Sequence, residues 1–216
     1  MTPEIAGKPA FAHLRIGLQE GDRLIAESGA MASMEAGLTI NTRWNGGFFR
    51  AIGRRLFGGE SLFVNEFSGK GEVVLTQPMP GDMAEIDLRD TTLYLQPGAF
   101  IACEPGVNLG LGWAGFTSWI AREGLFRMKV SGQGRVWFGA YGGLIAREIE
   151  DELVVDSGHL VAYEPSIRLK LGLAGGIFSS FFSGEGLITR VRGPGRVYLQ
   201  SRSFSGLQAW TNAHLH

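Results

Sequence analysis

A single cysteine, Cys103, stands in this chain of 216 residues. It has no partner for an internal disulfide, so nothing in the sequence calls for an oxidising compartment, and the expected location is cytoplasmic. An excess of one charge is missing too. The 20 basic residues face 21 acidic ones for a net charge of −1, and there is none of the clearly basic stripe that marks a nucleic-acid-binding domain. Nucleic acid is therefore not an expected partner. No run reaches the 18 or so consecutive apolar residues that a spanning helix needs; the longest weakly polar stretch, Leu169 to Leu187, is interrupted by Lys170, Glu185 and glycines. The opening Met-Thr-Pro-Glu lacks the basic start and apolar stretch of a secretory signal. Chemistry-bearing motifs are equally scarce. The histidines are His13, His159, His214 and His216, and no His-x-x-x-His, Cys-x-x-Cys or Gly-x-Ser-x-Gly occurs. No catalytic residue, metal ligand or cofactor site is expected, and Cys103 reads as a small buried hydrophobe.

What the chain has in quantity is glycine, 33 residues of it, about twice the usual share of roughly 7%. It also has a pattern that recurs three times: Gly29-Ala-Met-Ala-Ser-Met-Glu35, Gly98-Ala-Phe-Ile-Ala-Cys-Glu104 and Gly158-His-Leu-Val-Ala-Tyr-Glu164. Each copy continues to a second glutamate (Glu60, Glu123, Glu185) and then to a Gly-x-Gly element: Ser68-Gly-Lys-Gly-Glu-Val73, Ser131-Gly-Gln-Gly-Arg-Val136 and Arg192-Gly-Pro-Gly-Arg-Val197. The unit is about 60 residues, longer than most solenoid repeats. Alone it would bury too little surface to be robust. The expectation is one three-lobed domain over residues 1–216, with units at about 10–88, 89–149 and 150–210.

Short alternating runs bounded by glycine and proline predict strands, and the fold class is all-β with at most one or two short helices. Val73 with Leu75, and Val197 with Leu199, are expected to face a core, with Tyr198 and Gln200 on the opposite face. The Gly-x-Gly elements lie between strand-like runs. They read as tight hairpin turns needing φ > 0, not as phosphate loops, because no helix follows them. A short helix is conceivable over Gly46 to Leu56, and copies two and three have shorter versions of that segment.

Between the two glutamates of each copy lies a segment rich in glycine and aromatics: Trp44 to Phe57, Trp113 to Ile120, and Leu173 to Phe182. Connections are normally polar, so Trp44, Phe48, Phe49, Phe57, Trp113, Phe116, Trp119, Phe178, Phe181 and Phe182 are the candidate interaction residues. They either plug the core or an interface between copies, or dock onto a membrane or protein partner. Arg50, Arg54 and Arg55 beside Phe48, Phe49 and Phe57 resemble an interfacial membrane segment. The glutamates have two readings as well: a cation site gathered on a pseudo-threefold axis, or strand-closing residues exposed or paired with an arginine such as Arg135 or Arg196. The second is preferred, since no Asp-rich loop accompanies them.

The order of Gly-Glu60-Ser-Leu-Phe-Val-Asn-Glu-Phe-Ser-Gly-Lys-Gly71, Pro80-Gly-Asp-Met-Ala-Glu-Ile-Asp-Leu88, Asp156-Ser-Gly-His-Leu-Val-Ala162 and Gly193-Pro-Gly-Arg-Val-Tyr-Leu-Gln-Ser201 resembles the bacterial family related to the altered-inheritance-of-mitochondria biogenesis proteins. The resemblance runs from about residue 10 to 205. It implies a fold like the tryptophan RNA-binding attenuation protein (TRAP-like): three β-sandwich or short double-stranded β-helix repeats about a pseudo-threefold axis, assembling into a larger ring. It implies no established enzymatic activity. Eukaryotic relatives are linked to mitochondrial inner-membrane organisation, but the basic transit peptide for that location is absent here. RNA binding would want basic and aromatic residues repeated in every lobe, and Glu72 breaks the series of Arg135 and Arg196. The reading is therefore a non-enzymatic scaffold, a homo-oligomer with a trimer favoured, that assembles through or docks by its aromatic loops on a partner or membrane. A small-ligand or RNA-binding ring is the alternative, and an enzyme without a recognisable motif is the third.

Overall fold

The computed structural model describes residues 1–44, 63–96, 98–113, 126–173 and 187–215. Among these the chain is nearly all β, and every strand pair is antiparallel. The alternation expected from the sequence is visible at once in β2 (His13–Leu18) and β7 (Gly71–Leu75), where Leu14, Ile16, Leu18, Val73 and Leu75 are fully buried. These two strands form the middle of a four-stranded sheet, with β1 (Thr2–Ala6) outside β2 and β4 (Met31–Met34) outside β7.

The largest sheet has ten strands. Along it lie β12 (Leu144–Ile149), β17 (Gly195–Gln200), β14 (Leu160–Tyr163), β8 (Met83–Leu95), β11 (Phe126–Gly139), β9 (Phe100–Cys103), β3 (Arg23–Glu27), β6 (Phe63–Gly69) and β5 (Leu38–Trp44), with β10 (Val107–Trp113) on β11. A third sheet holds β13 (Glu152–Asp156), β16 (Leu187–Arg192) and β15 (Arg168–Leu173).

Three hydrophobic cores result, and the strands between them are apolar on both faces. Trp137 and Phe138 are neighbours on β11, both fully buried, yet they enter different cores because successive side chains point to opposite faces. β9 is divided as well, Phe100 and Cys103 entering one core and Ile101 and Ala102 the other, where its register against β11 shifts. In β17 Val197 and Leu199 face one core and Tyr198 the other, as expected from the alternation. That second face is buried as well, with Tyr198 and Gln200 at 8% and 6% exposure. A strand covered on both sides by neighbouring sheets has no solvent face to alternate with.

The Gly-x-Gly elements are not hairpin turns. Gly69 ends β6 in the ten-stranded sheet and Gly71 starts β7 in the four-stranded one. Gly193 lies between β16 of the three-stranded sheet and β17 of the ten-stranded one. In the second copy β11 runs straight through Gly132-Gln133-Gly134, and its register against β8 shifts there. These are points where a strand bends from one set of partners to another. Positive φ was the correct part of the expectation, with Gly132 at 110° and Gly134 at 130°. Close approach is the second reason for glycine: a Cβ on Gly132 would lie 2.6 Å from the Gly106 carbonyl oxygen.

The helix expected over Gly46 to Leu56 falls outside the described residues. The α-helix among those described is α1 (Phe204–His214), capped by the Ser203 hydroxyl, which accepts from the Gly206 N–H, and none of its residues is buried. A single 3-10 turn spans Ser157–His159.

Candidate functional site

The repeated glutamates close strands. Each makes a two-way latch with a backbone unit just past a Gly-x-Gly bend. The N–H of Glu35, Glu104 and Glu164 donates to the carbonyl of Glu72, Arg135 and Arg196 at 2.9, 3.0 and 3.0 Å. In return the carboxylate of each accepts from the N–H of that same residue at 2.9 Å. The Glu104 carboxylate also takes two bonds from the Arg135 guanidinium, at 2.8 and 2.6 Å. Carboxylates spent in this way are not free to gather on a cation, and no group of three His, Cys, Asp or Glu suited to a metal occurs among the described residues. The expected arginine partnership is present at Arg135 only. The Arg196 side chain turns to Glu148, and Glu72 pairs with Arg15 at 2.9 Å. Glu60, Glu123 and Glu185 lie outside the described residues.

The aromatic segments join paired strands. β5 and β6 stay in register to Trp44 opposite Phe63, β10 and β11 to Trp113 opposite Phe126, and β15 and β16 to Leu173 opposite Leu187. Trp44 and Trp113 are thus the last paired residues of their strands among the described residues. Phe48, Phe49, Phe57, Phe116, Trp119, Phe178, Phe181 and Phe182 lie outside the described residues.

Cys103 and His159 are built into the frame. Cys103 is fully buried, and its burial, aided by the nearby Glu104 charge, pushes the thiol up to about 12. A thiol this hard to ionise is a poor nucleophile. His159 shares a 2.7 Å hydrogen bond between its Nδ1 and the Gln200 carbonyl. His214 stacks on Trp210, ring centres 4.5 Å apart, on the surface of α1.

Tertiary structure also assembles a site that sequence reasoning missed. A cleft of about 550 Å³ is lined by Gln77, Gln96, Arg127, Tyr141, Gln200 and Ser205, with Pro78, Met79 and Phe204 as its apolar wall. Its amides are held in place: Gln77 Nε2 donates to the Ala140 carbonyl at 3.0 Å, Gln200 Oε1 accepts from the Tyr141 N–H at 2.9 Å, and Gln200 Nε2 donates to the Gly158 carbonyl at 2.8 Å. Arg127 is buried and bonds Tyr163, whose phenol burial pushes upward in pKa. No carboxylate stands among the described lining residues, so the cleft offers hydrogen bonds and a cation but no acid–base pair. Its residues are scattered over the chain with no motif linking them, and no local signal marks them.

With this geometry in hand, likeness to known proteins is informative. The family described as mitochondrial biogenesis AIM24 matches residues 3–202. An uncharacterized protein of Streptococcus pyogenes serotype M6 is 28% identical over 207 residues, covering 88% of this chain and 82% of that protein. A crystal structure of a Streptococcus pyogenes protein, from a structural genomics effort, superposes with a TM-score of 0.80 at 25% identity over 99% of both chains. Matched from its first strand to the end of its last, the chain belongs to the AIM24 mitochondrial biogenesis family.

Proposed function

We propose that this protein is a non-enzymatic scaffold made of three TRAP-like lobes of about 60 residues, which docks onto an apolar surface through its three glycine- and aromatic-rich segments and works as a homo-oligomer, a trimer being favoured. One observation carries the reading. Three antiparallel strand pairs run in register to apolar end pairs (Trp44 with Phe63, Trp113 with Phe126, Leu173 with Leu187), and each leads into such a segment. A rigid ladder is a suitable mount for a docking residue. Arg50, Arg54 and Arg55 among Phe48, Phe49 and Phe57 favour an anionic lipid surface over a neutral one. The latched glutamates and the buried Cys103 support a frame without catalysis.

Flotation with vesicles of phosphatidylcholine and phosphatidylglycerol tests the docking. The wild type is expected to float, and Phe48→Ser/Phe49→Ser to stay at the bottom of the gradient. A wild type that stays down removes the membrane version and leaves a protein partner. The polar cleft around Arg127 favours, as a second reading, a small hydrogen-bonding ligand; thermal shifts across a panel of small organic acids and amides would reveal it.

A further inference from the structure

The short strand within each seven-residue glycine pattern (β4, β9 and β14) meets different neighbours in the three copies. β9 lies between β11 and β3, with Ile25 opposite Cys103 and Ala26 opposite Ala102. β14 lies between β17 and β8, with Tyr94 opposite Tyr163 and Leu95 opposite Ala162. All four residues of each are buried. β4 pairs with β7 alone among the described strands. All four of its residues are exposed, Met31 by 40% and Met34 by 37%.

The strand that should cover β4 is present in the chain. β3 and the Thr91 to Leu95 end of β8 precede Gly29 and Gly98, as β13 precedes Gly158. Among the described strands β13 pairs with β16 alone, and it leaves Val154 50% exposed. The chain thus makes one type of junction twice internally and exposes the two halves of a third, in separate sheets. Both edges carry exposed apolar side chains and neither has a lysine or proline to blunt it; β4 is bulged against β7 between Met31 and Ser33, but β9 and β14 have a like irregularity against β11 and β17 and still pair on their other edge.

We propose that β4 of one copy pairs antiparallel with β13 of a second copy of this chain. The two internal junctions set the register. In each, the residue four places before a heptad glycine faces the residue five places after the next one: Ile25 with Cys103, Tyr94 with Tyr163. Carried over, Met34 faces Val154 and Ser33 faces Val155. The contact is heterologous: it joins two different surfaces, so it closes either reciprocally in a pair or head-to-tail in a ring. The inference rests on the three-lobe reading and supplies the interface of its oligomer, independently of the docking segments.

Two variants, Met34→Cys and Val154→Cys, purified separately, mixed and mildly oxidised, test it; the buried Cys103 gives little background. Directly opposite strand residues lie within the Cα separation a disulfide needs and diagonal ones do not, so the 34–154 linked pair is expected at least about five-fold above the product of Met34→Cys with Glu152→Cys. Absence of the 34–154 link, or equal linking by the Glu152 variant, overturns the proposal. In parallel, Val154→Lys, at an exposed site that leaves folding intact by circular dichroism, is expected to reduce the light-scattering mass to that of one chain, 23.4 kDa. A wild type already at that mass also overturns it. Phe48→Ser/Phe49→Ser is expected to keep the oligomer, so loss of docking and loss of pairing are read separately.

Discussion

The Glu104 carboxylate accepts from the Arg135 N–H and twice from its guanidinium in a half-buried setting. Glu104→Ala would leave that N–H and a cation without their acceptor, at a cost of about 2 kcal/mol in urea denaturation; Glu104→Gln, which retains an acceptor oxygen, should cost less. At Cys103 the thiol titrates near its ordinary 9.0 when unfolded and near 12 when folded. Its stabilisation is thus fully present below pH 9. Between the two values the unfolded chain has lost a proton that the native state keeps, so stability falls as pH rises, by ~1.4 kcal/mol per unit. Cys103→Ala lacks this dependence. From about pH 9 to pH 10.5 the wild-type melting temperature should fall faster than that of the variant, and parallel curves would contradict the buried neutral thiol.

At the scale of elements, strand continuity depends on the glycine bends. Gly132 combines φ of 110° with the Gly106 carbonyl 2.6 Å from any Cβ, whereas Gly98 has φ of 81° and open space around it. Gly98→Ala should cost about 1 kcal/mol of backbone strain. Gly132→Ala should cost clearly more, because two backbones must also separate. Equal losses in thermal denaturation would argue against close approach as the reason for Gly132. The helix α1 is different, since it buries no residue and rests on its cap. Ser203→Ala is expected to speed amide exchange within Phe204–His214 about five-fold, the effect of roughly 1 kcal/mol at an N-cap, and to leave exchange in the strands unchanged.

For the whole molecule, the cores are coupled through shared strands. β11 and β9 each supply residues to two of them. Val73→Ala in one core and Val197→Ala in another should each cost about 2 kcal/mol and lower one common transition. Tryptophan fluorescence and far-ultraviolet circular dichroism should then melt together; two separated transitions would show lobes that unfold alone. The all-β class was legible in the sequence, because runs such as Val73-x-Leu75 alternate with a period of two. The burial of Tyr198 and Gln200 was not, since a strand wrapped on both sides carries no alternation to read. The cleft around Arg127 was invisible for a related reason: its lining residues stand far apart along the chain and meet only through sheet order.

The sequence by itself determined the all-β class, the positive φ of the Gly-x-Gly elements and the recurrent glutamates, all of which depend on local backbone geometry and the side-chain period. Tertiary structure alone decided what each recurrent strand meets. β9 and β14 have almost the same local pattern as β4, yet they are buried and β4 is exposed. Hydrogen-bond partners on the far side of a strand come from distant parts of the chain, and a heptad cannot encode whether such a partner is present.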